Sequence, residues 1–441
     1  MLEPDKILKN NPATVRAWCM YDWANSVYSL VITSAIFPVY YKAVAVTREG
    51  NESVTFFGYT LKNSVLYSYA LSFSFLIVAA ILPLLSGISD YTGRKKQFMQ
   101  LFVMMGSMAC IGLYFFKDIE TLYWGIFCSV MASIGYSGSL VFYDAFLPEI
   151  VTEDRLDEVS ARGYSMGYYG SVILMIACLI LILNPQWFGF GSEGHATRFS
   201  FLLVGVWWMG FAWWSFRKLP ENSVGIKTTR IWKMGYEEIL KVWRELKHNP
   251  DLKKYLTSFF FFNMGVQTVM YLATLFGTDV LQLPAQNLIA TILLIQLVAA
   301  AGAWFFAKMS RRKGNSYTLT LMLALWILVC FSAYFISKAY HFYILAVVVG
   351  TIMGGIQSLS RATYAKLLPA HTVDHASYFS FYDVTYNLSI VLGTFSYGLV
   401  HQLTGNMRYS ALALAIYFVI GLIFLHRVRS VHIRVPLAQR A

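Results

Sequence analysis

The chain has 441 residues, of which 57% are hydrophobic and only 13% are charged. Soluble domains average about 25% charged residues, so this composition excludes a soluble enzyme and indicates a membrane protein with many spans. A net charge of +12 would suit nucleic acid in a soluble domain, but here the topology accounts for it and we predict no nucleic-acid partner. The five cysteines fall inside apolar runs, and we predict no disulfide framework, metal site or cofactor.

The apolar runs predict an all-α membrane protein, because a helix of roughly 20 apolar residues crosses a bilayer. We place an N-terminal six-helix bundle at 1–216, a cytoplasmic linker at 217–254 and a C-terminal six-helix bundle at 255–441. Segments on one side hold most of the 35 Lys and Arg residues, so the positive-inside rule puts both termini in the cytoplasm. The twelve predicted spans are 17–41, 64–85, 98–116, 121–142, 163–183, 199–216, 255–276, 287–306, 317–336, 342–360, 376–399 and 409–426.

The first span combines an apolar composition with a polar stripe. Its polar residues follow helical spacing and are expected on one face: Asp22, Asn25, Ser26, Ser29 and Thr33. A carboxylate inside a span costs about 2.5–3.5 kcal/mol on insertion scales, so Asp22 is expected to face other helices or a water-filled path. The alternative is that Asp22 lies near the cytoplasmic mouth, where the positive end of the helix favours it.

The segment after span 2 resembles a transporter loop and reads Ser86-Gly-Ile-Ser-Asp-Tyr-Thr-Gly-Arg-Lys-Lys96. Gly93 permits a tight turn with positive φ, and Asp90 is placed to cap a helix N-terminus in the other half. Arg94 offers a fork for Asp144 or Glu149. The alternative is an ordinary basic cytoplasmic loop. The predicted conformational latch is Asp90, Gly93, Arg94, Lys95, Asp144 and Glu149.

Short matches between the two halves indicate a duplicated six-span unit. Gly93 and Gly314 follow spans 2 and 8, and Pro148 and Pro369 follow spans 4 and 10, with the same separation in both pairs. Parallel repeats of this kind characterise transporters that rock one half against the other. Because Arg311 stands where the first half has Asp90, we predict a latch on one side only.

A second set of polar residues lies in the spans of the second half. Span 11 carries the carboxylate of Asp383, and Arg361 at the end of span 10 is a candidate partner that would remove two lone charges. A permanent structural ion pair and a role in substrate binding or proton gating are both open for this pair. The predicted substrate and proton path comprises Asp22, Asn25, Asn263, Gln267, Gln296, Asp383 and Asn387.

The linker contains a periodic pattern of aromatic and apolar residues with lysines and arginines between them. This pattern predicts an amphipathic helix on the inner membrane surface, and a simple tether between the halves is the reading that we favour. The apolar positions are Trp232, Tyr236, Ile239, Trp243 and Leu246.

Several blocks of the chain resemble the vacuole-effluxer family of the major facilitator superfamily. They include Ala17-Trp-Cys-Met-Tyr-Asp-Trp-Ala-Asn-Ser-Val-Tyr28, Phe142-Tyr-Asp-Ala-Phe-Leu-Pro-Glu149 and Gly354-Gly-Ile-Gln-Ser-Leu-Ser-Arg361. The resemblance implies the major facilitator fold and efflux of small solutes, which in the fungal members are vacuolar amino acids. Where the family often has an Asp early in span 7, this chain has Asn263, so proton coupling would fall on Asp22 and Asp383.

Together these observations predict a secondary active transporter, not an enzyme, that moves small solutes by alternating access. Amino acids are the expected cargo, with protons as the candidate coupling ion. The alternatives are export of another metabolite and a membrane receptor or scaffold without transport. The expected partners are a small-molecule substrate and the lipid bilayer, and the expected state is a monomer. We expect a location in the inner cell membrane rather than in a vacuolar membrane.

Overall fold

The computed structural model describes residues 8–46, 53–221, 231–369 and 372–429. Each of the twelve predicted spans overlaps one long helix in these ranges, so the predicted fold class is confirmed. The helices of the first half are α1 Pro12–Val44, α2 Asn63–Thr92, α3 Lys95–Gly112, α4 Leu122–Ile150, α5 Leu156–Leu183 and α6 Glu193–Phe216. Those of the second half are α7 Pro250–Asp279, α8 Ala285–Lys313, α9 Asn315–Phe335, α10 Ala339–Leu367, α11 His375–Thr404 and α12 Met407–His426.

Within the described residues, 10 helices are long and apolar enough to cross a membrane by length and composition alone. The other two, α7 and α11, have 30 residues each and pack among the apolar helices. Both carry polar side chains toward the interior of the protein, including the buried residues Asn263 and Asp383. Their lower hydropathy therefore reflects polar groups that face other helices instead of lipid.

The helices form two groups of six that meet along a limited set of seams. In the first half α1 packs against α5 and α6, and α4 packs against α2 and α3. In the second half α8 packs against α10, and α7 packs against α11 and α12. The two groups touch where α2 and α4 meet α11, and where α5 meets α8 and α10.

The ends of the described chain lie at one face of the helix bundle. The N–H of Asn10 donates to the carbonyl of Ile150 at the end of α4 (2.7 Å). The N–H of Arg429 donates to the carboxylate of Asp251 at the start of α7 (3.1 Å). We call this side the linker face, because the helix that joins the two halves lies there too.

Helix α1 is not a uniform α-helix. Asn11 caps its start by accepting a hydrogen bond from the N–H of Ala13 (2.9 Å), and Pro12 occupies the first turn. A π-helical segment of 9 residues follows at Tyr28–Ile36. Such wide turns are frequent at functional sites, and this one lies in the polar stripe of α1.

The duplicated segments of the sequence occupy equivalent places in the two halves. Gly93 ends α2 with φ +66°, and Gly314 ends α8 with φ +86°. Both glycines therefore adopt a backbone conformation that disfavours other residues, as the sequence predicts for Gly93. Tyr143 and Tyr364 have the same separation along the chain as Gly93 and Gly314, and both are fully buried near the linker-face ends of α4 and α10.

A small hairpin between α1 and α2 is the one departure from an all-helical fold within the described residues. Strands Ser53–Phe56 and Tyr59–Lys62 pair in antiparallel fashion. The turn residues Phe57 and Gly58 both have positive φ, as a tight two-residue hairpin turn requires.

The linker helix, Ile231–His248, packs on protein and not only on the membrane surface. Gly235 lies against the backbone of Gly87 and the side chain of Ile88 on α2. On the α11 side, Lys241 pairs with Asp374 (2.6 Å), just before that helix. The side chains that the linker helix buries are Val242 and Leu246, whereas three of its predicted apolar residues are exposed: Trp232, Tyr236 and Trp243. Most of the predicted apolar stripe therefore does not lie on the face of the linker helix that packs against protein. Residues 222–230 of the predicted linker lie outside the described ranges.

Lys241 illustrates how closely the linker helix joins the second half. Its partial burial disfavours the charged ammonium, but hydrogen bonds to Asp374 and Glu238 outweigh that effect. The pKa of Lys241 therefore lies above its ordinary value. Tyr378 of α11 donates a further hydrogen bond to the carboxylate of Glu245 (2.7 Å). The linker helix bridges α2 and α11, which belong to opposite halves.

Candidate functional site

A buried arginine from the second half is held by carboxylates of the first half. Arg361 lies near the linker-face end of α10 and is only 2% exposed. Its Nη1 donates to Oδ1 of Asp144 on α4 (2.9 Å), and its Nη2 lies 3.3 Å from Oδ2 of Asp22 on α1. Two carboxylates and one guanidinium thus meet where the two halves come together.

Further side chains of the first half complete this arrangement. The Nε of Arg361 donates to the hydroxyl of Ser160 on α5 (3.0 Å). The Tyr143 hydroxyl donates to Oδ2 of Asp22 (2.7 Å), and the guanidinium lies over the rings of Trp18 and Tyr164 at 4.6 and 4.3 Å. We refer to Arg361, Asp22, Asp144, Tyr143 and Ser160 as the Arg361 cluster.

The predicted pairing of Arg361 with Asp383 is wrong. Asp383 accepts its hydrogen bond from the amide of Asn387, one turn further along α11 (2.8 Å). Arg361 lies instead on the side of α10 that faces the first half, where two carboxylates were available. The charge that offsets Asp22 therefore comes from the opposite half of the protein.

The predicted cap across the two halves is present in the structure. Asp90, near the end of α2, accepts hydrogen bonds from the N–H groups of Ala376 (3.2 Å) and Ser377 (2.7 Å). These are the second and third residues of α11, whose unsatisfied N–H groups favour an anion. The role of this contact as a latch stays a prediction.

The remaining latch residues have other partners than the sequence predicted. Arg94 is exposed, and Lys95 is the residue that forms an ion pair with Glu149. Both partners of that pair belong to the first half, on α3 and α4. Asp144 binds Arg361 instead of Arg94, because α4 presents it toward α10. Within this set, Asp90 and Asp144 are the residues whose described bonds cross between the halves.

A third contact between the halves was missed by the sequence analysis. Asp157, in the first turn of α5, is 1% exposed and lies among donors from the second half. It accepts hydrogen bonds from Ser310 (3.0 Å) and Asn315 (2.8 Å), and it pairs with Lys366 (2.7 Å). We call these four residues the Asp157 cluster. Contacts between the halves at this face are therefore not confined to α2 and α11, because this cluster links α5 to α8, α9 and α10. The prediction of a latch on one side only stays a prediction.

A polar cavity of about 160 Å³ lies between the halves, on the far side of the Arg361 cluster from the linker face. It adjoins a second cavity of about 400 Å³, which extends between the same helices toward the opposite face. The two cavities are neighbours, because they share the lining residues Thr33, Tyr271 and Gln296. The described contacts thus close the linker face, while space remains on the other side.

Most of the predicted path residues line the central cavity. Asp22, Gln267, Gln296, Asp383 and Asn387 all lie in its wall. The side-chain oxygen of Gln296 is buried and has no hydrogen-bond partner among the described residues, so it is free to bind a ligand. The whole set stays a prediction as a transport path.

Two predicted path residues lie behind the cavity wall instead. Asn263 accepts a hydrogen bond from Gln267 on the same helix (3.2 Å). It donates to the hydroxyl of Ser389 (2.6 Å), and this second bond holds α7 against α11. Asn25 is 1% exposed and lies outside the described lining of the cavity. The other members of the α1 stripe line the cavity: Asp22, Ser26, Ser29 and Thr33. Asn25 is the member of the stripe that does not.

Tyrosines form much of the cavity wall, and sequence reasoning did not single them out. The ring residues are Tyr28, Tyr136, Tyr164, Tyr168, Tyr271, Tyr382 and Tyr386. Tyr168 on α5 donates to the side-chain oxygen of Gln357 on α10 (2.6 Å), which adds another link between the halves. A tyrosine ring supplies apolar surface together with a hydroxyl. The high tyrosine content within the spans is the sequence feature that could have indicated this lining.

The charges in the cavity do not balance. Its charged lining residues are Asp22, Asp144, Asp383 and Arg361, which gives three carboxylates and one guanidinium. Arg361 is shared by Asp22 and Asp144, whereas the described partner of Asp383 is the neutral amide of Asn387. The cavity therefore favours a cationic group or a proton near Asp383.

Solved transporters share this architecture. The human organic anion transporter MFSD10 aligns with a TM-score of 0.72 at 11% identity, covering 94% of this chain and 99% of that one. The transporter FucP in its outward conformation aligns with a TM-score of 0.69 at 14% identity, covering 96% and 99%. A bacterial ferroportin homologue in an outward-facing state gives 0.68 at 13% identity, covering 95% and 98%. The chain therefore has the fold that these three proteins share.

Sequence comparison identifies the family of this chain. Residues 10–434 match the family described as vacuole effluxer Atg22 like, and the chain belongs to that family. It is 33% identical over 413 residues to the uncharacterized MFS-type transporter YxiO of Bacillus subtilis, covering 93% of each chain. It is 22% identical over 446 residues to autophagy-related protein 22 of Yarrowia lipolytica, covering 81% of this chain and 74% of that one. The predicted family is thereby confirmed.

Proposed function

We propose that this transporter exports amino acids, or zwitterions of similar size, by alternating access and with coupling to protons. The observation that carries the proposal is the carboxylate of Asp383, which lies in a polar cavity between the halves and has an amide as its described partner. An unbalanced buried carboxylate is costly unless it binds a cation or a proton. A substrate ammonium would satisfy it, and protonation would satisfy it in the substrate-free state.

The rest of the cavity suits the other end of a zwitterion. Gln267 and Gln296 present amide groups, and Tyr136 presents ring surface with a hydroxyl group, whereas the hydroxyl of Tyr168 already donates to Gln357. Amide N–H groups and tyrosine hydroxyls donate hydrogen bonds to a carboxylate. A ligand that carries both charges would therefore contact α4 of the first half together with α7, α8 and α11 of the second.

Alternating access requires the contacts at the linker face to separate. The Arg361 cluster, the Asp90 cap and the Asp157 cluster all join the two halves there. Protonation of Asp22 would remove one of the two charges that hold Arg361, and so would favour opening toward the linker face. In this scheme Asp383 binds the cation or proton, and Asp22 responds to the proton as a gate.

We propose that the linker face is cytoplasmic, because most of the basic residues fall on that side. The described structure then faces outward, which is the conformation named for two of the solved neighbours. We further propose a monomer in the inner cell membrane. A cysteine in place of Arg312, which is exposed at the end of α8, should react with an impermeant thiol reagent only from the cytoplasmic side.

The test of function is counterflow in proteoliposomes. Vesicles are loaded with one unlabelled amino acid or dicarboxylate at a time, and entry of the labelled counterpart is measured. Accelerated entry of an amino acid would support the cargo. Exchange of dicarboxylates alone would replace it with another metabolite, and binding without exchange would favour the receptor alternative.

The same vesicles test the two aspartates. Asp383→Asn should abolish proton-driven flux and weaken binding, whereas Asp22→Asn should change flux more than binding. Asp154→Asn is the matched control, because Asp154 is exposed at the linker face away from the cavity. If Asp22→Asn and Asp383→Asn both keep full gradient-driven flux, the assignment of proton carriers is wrong.

A further inference from the structure

A groove on the outer surface of the protein follows the seam between α5 and α8. It has a volume of about 670 Å³ and lies between the first half and the second. Its floor is closed by alanines of the two helices and by a hydrogen bond from Ser165 to the carbonyl of Ala300 (2.9 Å). The groove is separate from the central cavity, since Ser165 and Ala300 belong to this groove and not to the described cavity lining.

Two cations in this groove lack an anionic partner among the described residues. Arg162 of α5 and Lys308 of α8 are both exposed and line the groove, one from each half. The third cation, Arg311, is already paired with Glu158 (3.0 Å). Lys308 lies over the ring of Trp304 (5.1 Å), which leaves its positive charge available. Two cations, one from each helix, therefore line the groove without a described counter-ion.

The two free cations lie at the same depth. Arg162 is six residues from the start of α5, and Lys308 is five residues from the end of α8, and both of those ends are at the linker face. At a rise of about 1.5 Å per residue, the cations lie roughly 8–9 Å inside the helix ends. This level is below the loops and suits the boundary between headgroups and hydrocarbon.

The groove changes from charged to apolar along its length. Glu158 and Arg311 lie at the end nearest the linker face, and Tyr169 and Trp304, both largely exposed, lie deeper. From Glu158 to Tyr169, α5 rises about 16 Å, which is close to the thickness of one leaflet, about half of a 30 Å hydrocarbon core. The surface thus matches a molecule with an anionic head and an apolar tail.

We propose that this groove binds an anionic phospholipid, with the phosphodiester between Arg162 and Lys308 and an acyl chain along Trp304 and Tyr169. Basic pockets between membrane helices on one side of a bilayer bind such headgroups. Because the two cations come from opposite halves, the bound lipid bridges α5 and α8 and favours the arrangement in which the linker face is closed. This site does not rest on the proposed cargo or on proton coupling.

The test measures lipid binding to the purified full-length protein by native mass spectrometry, with phosphatidylglycerol titrated into detergent. The unsubstituted chain should bind phosphatidylglycerol in preference to phosphatidylcholine. The double substitution Arg162→Gln/Lys308→Gln should weaken phosphatidylglycerol binding by roughly 30-fold, about fivefold for each cation. The matched control is Arg312→Gln/Lys313→Gln on the same end of α8, outside the groove lining, and it should bind as the unsubstituted chain does.

A second variant addresses the apolar part of the groove. Ala301 is an exposed lining residue, so Ala301→Trp should obstruct the acyl chain while leaving both cations in place. Both variants should keep the thermal unfolding midpoint that the protein has without added lipid, because the replaced side chains are exposed. Reduced binding in both variants supports the site.

Three results would overturn the proposal. The first is equal phosphatidylglycerol binding by the double variant and the unsubstituted chain. The second is equal affinity for phosphatidylcholine, which would mean that the anionic charge is not recognised. The third is full displacement of the lipid by soluble glycerol phosphate at matched concentration, which would assign the cations to a free phosphate and not to a lipid.

Discussion

Replacing Asp90 with alanine should shift the transporter away from the conformation that is closed at the linker face. Asp90 accepts two hydrogen bonds from the first turn of α11, at 3.2 and 2.7 Å. The donors are N–H groups of Ala376 and Ser377, so the contact joins the two halves. A conformation in which α2 and α11 separate at this face loses the contact anyway, so only the closed conformation is destabilised by the substitution.

The expected size of the shift follows from the geometry. An acidic cap on a helix N-terminus contributes about 1–2 kcal/mol, and hydrogen bonds to a charged group lie at the upper end of the usual range. Asp90 is half-buried, so we take about 2 kcal/mol for the pair of bonds. This corresponds to roughly a 30-fold change in the ratio of open to closed protein, because about 1.4 kcal/mol is tenfold. An open state at about 1% would then rise to roughly 20%.

The assay measures a distance between spin labels on the two halves at the linker face. Cysteines replace Asp154, just before α5, and Arg312, at the end of α8, and both sites are exposed. The five native cysteines are buried and are expected to react slowly. Asp90→Ala should add a population with a longer distance. Asp90→Asn keeps an acceptor oxygen without the charge and should produce a smaller shift.

The exposed neighbour Arg94 supplies the control. Arg94→Ala removes a charge from the same turn without removing a described contact between the halves, and it should leave the distance distribution unchanged. Asp90 does not stabilise the closed conformation if Asp90→Ala leaves the distribution as it was, or if Arg94→Ala shifts it equally. The latch role is also refuted if Asp90→Ala weakens substrate binding as much as it changes the distances.

Two further predictions concern stability in detergent, followed by thermal unfolding. Lys366→Met leaves Asp157 buried without its cation, which should cost about 3 kcal/mol, and the double variant Asp157→Asn/Lys366→Met should recover most of that loss; equal midpoints for the single and double variants would contradict this. Gly354→Ala should destabilise by about 1–3 kcal/mol, because a Cβ there would overlap the carbonyl of Ala299. Gly398→Ala, where a Cβ meets open space on α11, should not lower the midpoint, and similar losses at the two glycines would refute the packing argument.

The structure places the proposed chemistry at the junction of the halves. Arg361 belongs to the second half, yet its described charge partners, Asp22 and Asp144, belong to the first. An ion pair of this kind exists only while the halves are together at the linker face. The ion pair can therefore stabilise the closed conformation, and a proton on Asp22 would weaken it and shift the equilibrium toward the open conformation.

Much of the site could be read from spacing along single helices. The positions of Asp22 and Asp383 within apolar spans indicated that both face the interior, and both line the central cavity. Asp90 near the end of a span, followed by a glycine that turns the chain, indicated a cap on another helix. These features depend on helix periodicity and on the cost of a buried charge, and both properties are local to the chain.

The pairing between helices could not be read in this way. Arg361 and Asp383 lie on consecutive spans, which made them natural partners, but α10 turns Arg361 toward α4 and α1. Asp157 precedes the predicted start of span 5 and so looked like a solvated loop residue. In the structure it is buried because the ends of α8, α9 and α10 cover it.

The sequence by itself determined the membrane character of the protein, its all-helical fold class and most of the helical positions that carry polar groups. Each of these follows from composition and periodicity, because a lipid environment penalises charges and requires helices of a set length. Only the tertiary structure decided that Arg361 binds Asp22 and Asp144, that Asp157 joins the halves, and that Arg162 and Lys308 face one groove. Those contacts join residues far apart in the chain, and their geometry depends on how whole helices rotate and pack against one another.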